Sequence, residues 1–468
     1  MMSVLKLAKS SWAIYFLTRL VFHVLHPLDW TNAYVRWQHL DLAALKSDYL
    51  ISLFNCHMQP PLFNALLGAF VKIVPECYEE AVARFIYIGL GILSFVAFRR
   101  LLSETIRHDG IRRFFEFAYA IMPPILFAER WFGYTLPVMC CLTWMACALS
   151  RWMKCGLKPF WYFYLLLGMS IVLMRSLYHV LVWFVPCTFL AFFAKGKKRV
   201  VIGAVEICLF IVLALLPNVF NFARYGMFAS STWQGMNLMR TLEYVTVKER
   251  QDLIAAGRCS SIASIAPFSC PEVYLDYYGI KNDPTPSTPS VLACTHKAAY
   301  IGEQEKCPNY NHYIIPQASR EYQASWKELV CAYPAKYLYG VLNAVYSFFS
   351  WEMYHYWHNA CEWLPSRVDP PVSRMVKGVK SFVVPALMIA IYAMAILGWG
   401  KNLLHFGDKR ILCAFCLLTC LYTFAVSVFA ELGENNLMRV PIDPLLLAGV
   451  AFYADFIMAK SKVRACRK

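Results

Sequence analysis

Asn55-Cys56-His57-Met58-Gln59-Pro60-Pro61-Leu62-Phe63-Asn64 leads into an apolar run that stops at Val74. A membrane-crossing helix needs about 20 apolar residues, and this run is far shorter. Whether it crosses decides the topology of everything after it. Proline fixes φ and has no N–H, so Pro60-Pro61 suits the first turn of a helix and not its middle. The run is therefore read as a re-entrant or interfacial helix that starts at the proline pair. The stretch before it, from His39 through Asp41 and Asp48 to His57, is a polar loop caught between apolar segments.

The composition around it belongs to a membrane. The chain has 468 residues, 59% of them hydrophobic and only 16% charged. Soluble domains are nearer half apolar and about 25% charged. Mean hydropathy is +0.46 and the pI about 9.1. The net charge of +16 does not point to nucleic acid. Its Lys and Arg residues lie in short runs between apolar segments rather than on one face, as the positive-inside rule requires. The first apolar run, Trp12 to Leu25, lacks a small-residue cleavage site behind it and is read as a retained span.

Apolar runs place ten spans, at 11–26, 84–98, 114–128, 133–149, 159–174, 178–194, 200–217, 381–397, 411–430 and 444–458. With the N-terminus in the cytosol and 62–74 not crossing, the basic segments 99–113, 151–158, 195–199, 401–410 and the tail all face the cytosol. If 62–74 crossed, the middle basic loops would lie outside. The charge bias thus selects an all-α polytopic bundle of about ten transmembrane helices with both termini inside. The His39–Asn64 loop, the Glu129–Tyr134 turn, the region 218–380 and the Glu431–Asp443 turn then share the outer face. The expected modules are 1–217, with its outer loop at 27–61, a long outer region at 218–380, and C-terminal helices at 381–468. Within the outer region, Tyr337 to Tyr354 reads as an amphipathic interfacial helix. Cys259, Cys270, Cys294, Cys307, Cys331 and Cys361 are even in number there, which suggests disulfides in an oxidising compartment.

The polar residues on that face are the candidate functional groups. Ionisable residues near a membrane are costly and are functional hypotheses by default. Asp41 and Asp29 suit a base or metal ligand, or a helix cap. His57 suits a phosphate or metal ligand, or a cap. Glu129-Arg130-Trp131-Phe132-Gly133-Tyr134 supplies a second carboxylate, or a structural ion pair. Arg84, Arg175 and Arg439 are exceptions to the charge rule, and a guanidinium can hold a lipid phosphate bidentately. Ser230-Ser231-Thr232-Trp233-Gln234-Gly235-Met236-Asn237 combines small polar groups with an indole, as sugar recognition requires, or is an ordinary polar loop. No P-loop, zinc-finger spacing or nucleophile elbow occurs.

Four segments together resemble the GT-C superfamily of polyprenyl-phosphate-sugar-dependent glycosyltransferases. The nearest branch holds protein mannosyltransferases, lipid A aminoarabinose transferases and related bacterial Rgt-like transferases. The segments are the acid-bearing loop closed by His57 to Asn64, with its Pro-Pro-Leu element, Glu129 to Thr135, Ser230 to Asn237, and Gly433-Glu434-Asn435-Asn436-Leu437-Met438-Arg439-Val440-Pro441-Ile442-Asp443-Pro444. The chain departs from the family in lacking adjacent acids soon after the first span: Asp29 is followed by Trp30, and Asp41 by Leu42. The resemblance implies transfer of a sugar, with inversion, from a dolichyl or undecaprenyl phosphate to a glycan, lipid or protein acceptor on the lumenal or periplasmic face. It implies a catalytic acid at Asp41 or Asp29 with Glu129, and donor phosphate contacts from Arg439, Arg175, Arg84 and His57. Trp233, Gln234, Asn237, Tyr134 and Glu434 would contact the sugar or acceptor, and Glu129 with His57 would hold a divalent metal ion. The location would be the ER membrane or a bacterial inner membrane. A lipid or sugar transporter would be equally apolar and basic but should show duplicated halves and interrupted helices. A non-catalytic scaffold on the same fold is the other alternative.

Overall fold

A computed structural model describes residues 11–193, 200–281, 288–298, 307–350, 382–405 and 409–465. Among these the secondary structure is helical, with two isolated backbone bridges and no strand. Six helices are long and apolar enough to cross a membrane. They are α1 (Glu79–Thr105), α2 (Thr135–Cys155), α3 (Val200–Tyr225), α4 (Val384–His405), α5 (Arg410–Ala430) and α6 (Asp443–Ala465). The bundle turns apolar side chains outward: Leu209, Val212, Val219 and Phe222 of α3 are exposed. An outward apolar surface of this kind is the mark of a protein that sits in a bilayer.

The remaining expected spans differ. Ser11–Leu25 and Lys158–Met174 are apolar helices of 15 and 17 residues. The segment expected at 178–194 is a π turn, Val180–Phe184, continued by Val185–Phe193. The span expected at 114–128 is two pieces, Asp109–Ile121 and Pro123–Arg130. Met122 between them is extended, because the residue before a proline is driven out of the α region. Leu62–Ile73 is a helix of 12 residues, short as the sequence requires.

Small residues and buried polar contacts lock the bundle. α4 and α6 approach so closely at Gly398 that a Cβ there would sit 2.1 Å from the carbonyl oxygen of Gly449. Trp399 Nε1 donates to Leu445 O at 3.1 Å in the same contact. α2 lies on α1, with Trp144 Nε1 donating to Leu93 O at 3.1 Å. Such close approach through small residues is how helices associate where lipid is as apolar as a side chain.

The two ends of the bundle are built differently. At one end Glu104 gathers Arg151 at 2.6 Å and Lys154 at 3.5 Å. Lys409 reaches Thr105 O there at 3.0 Å. At the other end the chain after α3 forms a helical cap, with Gln234–Arg240, Val247–Ala255, Pro271–Tyr278, Ile315–Ala332 and Pro334–Phe349. Gly235 packs directly on the backbone of Ser319, and Gly340 on that of Thr241, where no Cβ would fit. Pro334–Phe349 covers most of the apolar stretch expected as an interfacial helix, and Tyr337 donates to Phe429 O at the end of α5, at 3.0 Å. The residues from 351 lie outside those described.

No disulfide joins the described cysteines of the outer region. Cys259, Cys294, Cys307 and Cys331 are free thiols. Two are spent on backbone carbonyls: Cys307 Sγ donates to Val35 O at 2.9 Å and Cys259 Sγ to Ser325 O at 3.8 Å. Cys361 lies outside the described residues.

Candidate functional site

The loop that opened the sequence reading is pinned by the cap. His57 N donates to Asn311 Oδ1 at 2.9 Å, and Thr232 N donates to His57 O at 3.0 Å. The His57 ring makes contacts of 2.8 Å on both nitrogens, Nδ1 to Thr232 Oγ1 and Nε2 to Asn311 O. Burial pushes its pKa down to about 3, so the ring is neutral, with Nε2–H donating to the carbonyl and Nδ1 accepting from the hydroxyl. Ser231 Oγ donates to Met58 O at 2.6 Å. Asn64 accepts from Leu40 N at 2.8 Å and donates to Gln38 O at 3.2 Å. The loop is a buried splice between the first loop and the cap. Its partners are Thr232, Ser231 and Asn311, and not the Glu129 and Arg439 that the sequence suggests.

Glu129 is enclosed elsewhere. It is fully buried and takes both Nε and Nη2 of Arg19, at 3.0 and 2.7 Å, with His23 Nε2 at 3.6 Å. The Arg19 guanidinium stacks 4.1 Å from the Tyr15 ring centroid. A Cβ on Gly91 would press on the Glu129 carboxyl at 2.8 Å. This is the structural ion pair, with no room for substrate. The expected divalent metal does not fit Glu129 and His57: each spends its ligand atoms on a separate set of partners.

Other expected residues are also occupied. Asp41 caps Leu42–Ser47, taking Ala43 N at 3.1 Å on Oδ1 and Ala298 N at 2.9 Å on Oδ2. Arg439 is buried against Asp443 at 3.1 Å and Ser350 O at 3.1 Å. Arg84 pairs with Glu80, one turn away on α1, at 2.7 Å. Trp233 is buried, its Nε1 donating to Tyr310 O at 3.1 Å and its ring edge-on to Phe268. Gln234 is exposed and Asn237 half-buried on the same short helix.

Tyr134, Arg175 and Glu434 are brought together, and with them come three residues the sequence reading passed over: Arg36, Arg240 and Glu431. The cluster lies where Lys158–Met174 and α5 end and α2 begins. Arg175 lies 5.2 Å from the Tyr134 ring centroid and donates to Leu437 O at 3.3 Å. Arg36 forms an ion pair with Glu434 and lies 4.9 Å from the Trp131 ring centroid. Arg240 reaches Glu431 Oε1 at 4.0 Å. Its guanidinium lies against Gly433, where a Cβ would meet it at 2.0 Å, and Gly433 has φ +136°. Asn435 fixes this turn by donating to Ser427 O at 2.6 Å and Glu431 O at 3.0 Å while accepting from Gly433 N at 2.9 Å.

Burial is the main influence on Glu431, opposed by Arg240, Arg175 and Arg36 and aided by Glu434, and pushes its pKa up to about 7. Three arginines against two carboxylates leave one positive charge, and two when Glu431 holds its proton. The cluster therefore favours an anion, and it contains a carboxylate that exchanges its proton near neutrality. Asp29 adjoins Trp131, whose ring lies under Arg36: its N–H donates to Arg130 O at 3.0 Å and its backbone pairs with Trp131. Its Oδ1 takes Thr31 N at 3.2 Å. The missed arginines carried a signal. Like Arg175, Arg36 and Arg240 fall in segments that the expected topology puts on the outer face, where the charge rule expects few cations.

Comparison of the chain with models of known protein families, with curated proteins and with solved structures finds no match.

Proposed function

We propose that this chain is a membrane glycosyltransferase that moves a sugar from a polyprenyl phosphate carrier to an acceptor at the capped end of the bundle. The observation that carries this is the convergence of Arg36, Arg175 and Arg240 around Glu431 and Tyr134 where the apolar helices end. A lipid phosphate enters a membrane protein at such a level, with its tail along the apolar helices and its charge at their ends. A phosphate is already a good leaving group, so the sugar–oxygen bond breaks without a strong general acid. Negative charge then gathers on the phosphate, and fixed guanidinium groups stabilise it. The acceptor hydroxyl must lose a proton as it attacks. Glu431, poised near neutrality, takes that role better than Asp41 or Glu129, whose oxygens are occupied. Asp29, at the rim of the cluster, suits acceptor orientation. The GT-C resemblance supports the same reaction.

The short apolar helices fit a larger membrane domain. Ser11–Leu25, Lys158–Met174, the run 180–193 and the broken pair 109–130, added to the six long helices, give the ten crossings of the GT-C-like arrangement. The capped end would then face the lumen or periplasm, and the Glu104 end the cytosol.

The test is turnover of labelled polyprenyl phosphate sugars by purified protein in lipid nanodiscs. Wild type should release free polyprenyl phosphate. The Arg175→Ala and Arg240→Ala variants should lose most of that activity while keeping the wild-type melting profile. Unchanged turnover in both would exclude the cluster as the donor site, and absence of turnover with any carrier sugar would exclude the reaction.

A further inference from the structure

We propose that Cys270, Glu272 and His296 form a zinc site in the cap, apart from the arginine cluster. One sulfur, one oxygen and one nitrogen ligand atom from these residues lie within 4.8 Å of one another. Cys270 is the residue before the helix Pro271–Tyr278, and Glu272 is in its first turn. The spacing places thiol and carboxylate on the same helix start, fixed by Pro271 between them. His296 comes from a separate segment held by a two-sided backbone clasp. Lys297 N donates to Cys307 O at 2.9 Å, and Asn309 N to Thr295 O at 2.8 Å. His296 Nδ1 already meets Glu272 Oε1 at 2.9 Å.

A second observation separates this from an ordinary histidine–glutamate pair. The other carboxylate oxygen, Glu272 Oε2, is shielded from solvent and has no hydrogen-bond partner. The Glu272 side chain is 41% exposed as a whole, so this oxygen is reachable by an ion and has no competing partner. Thiolate, imidazole and carboxylate together are a borderline-soft set that suits zinc over magnesium or calcium. Ligand atoms around a tetrahedral zinc stand roughly 3–4 Å apart, so small side-chain rotations convert the observed arrangement. Binding replaces the Cys270 thiol proton, which passes to water, and leaves a fourth position for water. The ion would tie the 270s helix to the segment carrying Lys297. Lys297 is buried and its ammonium donates to Tyr34 O at 3.3 Å and to Arg36 O at 2.5 Å. The site would therefore stiffen the loop that presents Arg36.

The experiment is titration of the full chain, purified with a chelator that is then removed, with cobalt(II) and zinc(II). Wild type should bind one cobalt that shows a thiolate charge-transfer band and tetrahedral d–d bands, both displaced by zinc. Cys270→Ser should lose the charge-transfer band. His296→Gln and Glu272→Gln should weaken cobalt binding by roughly tenfold or more. Glu272→Gln keeps a hydrogen-bonding partner for His296, so its fold is preserved if the other variants prove unstable. Zinc should raise the melting temperature of wild type and not of the variants. Wild type that binds no cobalt, or variants that bind it with the same band and affinity, would overturn the site. Neither readout depends on sugar transfer.

Discussion

Arg36 and Glu434 form an ion pair although 398 positions separate them in the chain. The pair joins the first loop to the turn that enters α6, and it sets the position of one of the three guanidinium groups in the cluster. Both side chains are partly exposed, at 15% and 31%, so the bond adds only about 1 kcal/mol or less to stability. Its value is in placement. Arg36→Ala should lower sugar transfer by roughly tenfold or more with little change in melting temperature. Glu434→Ala should do so more weakly, by letting Arg36 swing out. Equal loss of stability and of transfer in Arg36→Ala would mean that the pair is a structural clamp.

Glu431 makes the pH dependence specific. Its ordinary pKa of 4.5 is raised by burial to about 7 in the folded chain. Between those values the folded chain holds a proton that the unfolded chain has released. Stability therefore falls as pH rises from about 4.5 to about 7, and is level above that. Glu431→Gln removes the drop, so from pH ~5 to pH ~8 the variant should gain on wild type by on the order of 2 kcal/mol. As the base, Glu431 must be ionised, so transfer should rise through about pH 7 and fall by roughly a hundredfold or more in the variant. Urea unfolding at the two pH values reads the first effect, and initial rates across pH the second. Parallel stability curves for the two proteins would show that Glu431 is not held protonated.

The parts of this molecule that depend on sorting were legible in the sequence, and the parts that depend on pairing were not. Arg151, Lys154 and Lys409, gathered near Glu104 and Thr105, come from segments that the charge count groups on one side. The short helix after Pro60-Pro61 follows from length alone. His57 looked like a ligand because nothing nearby in sequence uses its ring; the atoms that do, on Thr232 and Asn311, come 175 and 254 positions later. Glu129 was open to catalysis or an ion pair for the same reason, since Arg19 reaches it across 110 positions. Glu431 entered the sequence reading only as the start of the Glu431–Asp443 turn. Its pKa is raised because the folded chain encloses it, against the pull of Arg36, Arg175 and Arg240, and that enclosure comes from segments far apart in the sequence.

The crossing of α4 and α6 has no slack. A methyl group on Gly398 would meet the backbone of Gly449 at 2.1 Å, and backbone cannot rotate away as a side chain can. Gly398→Ala should push the helices apart, strain the Trp399–Leu445 hydrogen bond and cost about 1–3 kcal/mol. Gly400, on the same helix, has open space beside it, and Gly400→Ala should be neutral or slightly stabilising through helix propensity. Thermal unfolding of the two variants in one detergent makes the comparison. If Gly400→Ala were the more damaging, the close crossing would be misplaced.

The Arg19–Glu129 pair predicts a result that distinguishes structure from catalysis at Glu129, the second carboxylate the sequence offered. Removing one partner of a buried pair leaves an uncompensated charge and costs about 3–5 kcal/mol. Glu129→Gln leaves Arg19 buried and charged with no carboxylate beside it, only neutral acceptors such as Ala120 O, so it should lose stability and, with it, yield and transfer together. Removing both charges relieves that penalty. Arg19→Met with Glu129→Gln should regain much of the melting temperature, because a methionine fills the space beside Tyr15 and a glutamine keeps the shape beside Gly91. If Glu129 only supports the fold, transfer per folded molecule should return with the melting temperature in the double variant. A catalytic Glu129 would give a stable double variant that remains inactive, and that outcome would move the reactive acid from the arginine cluster to the interior of the bundle.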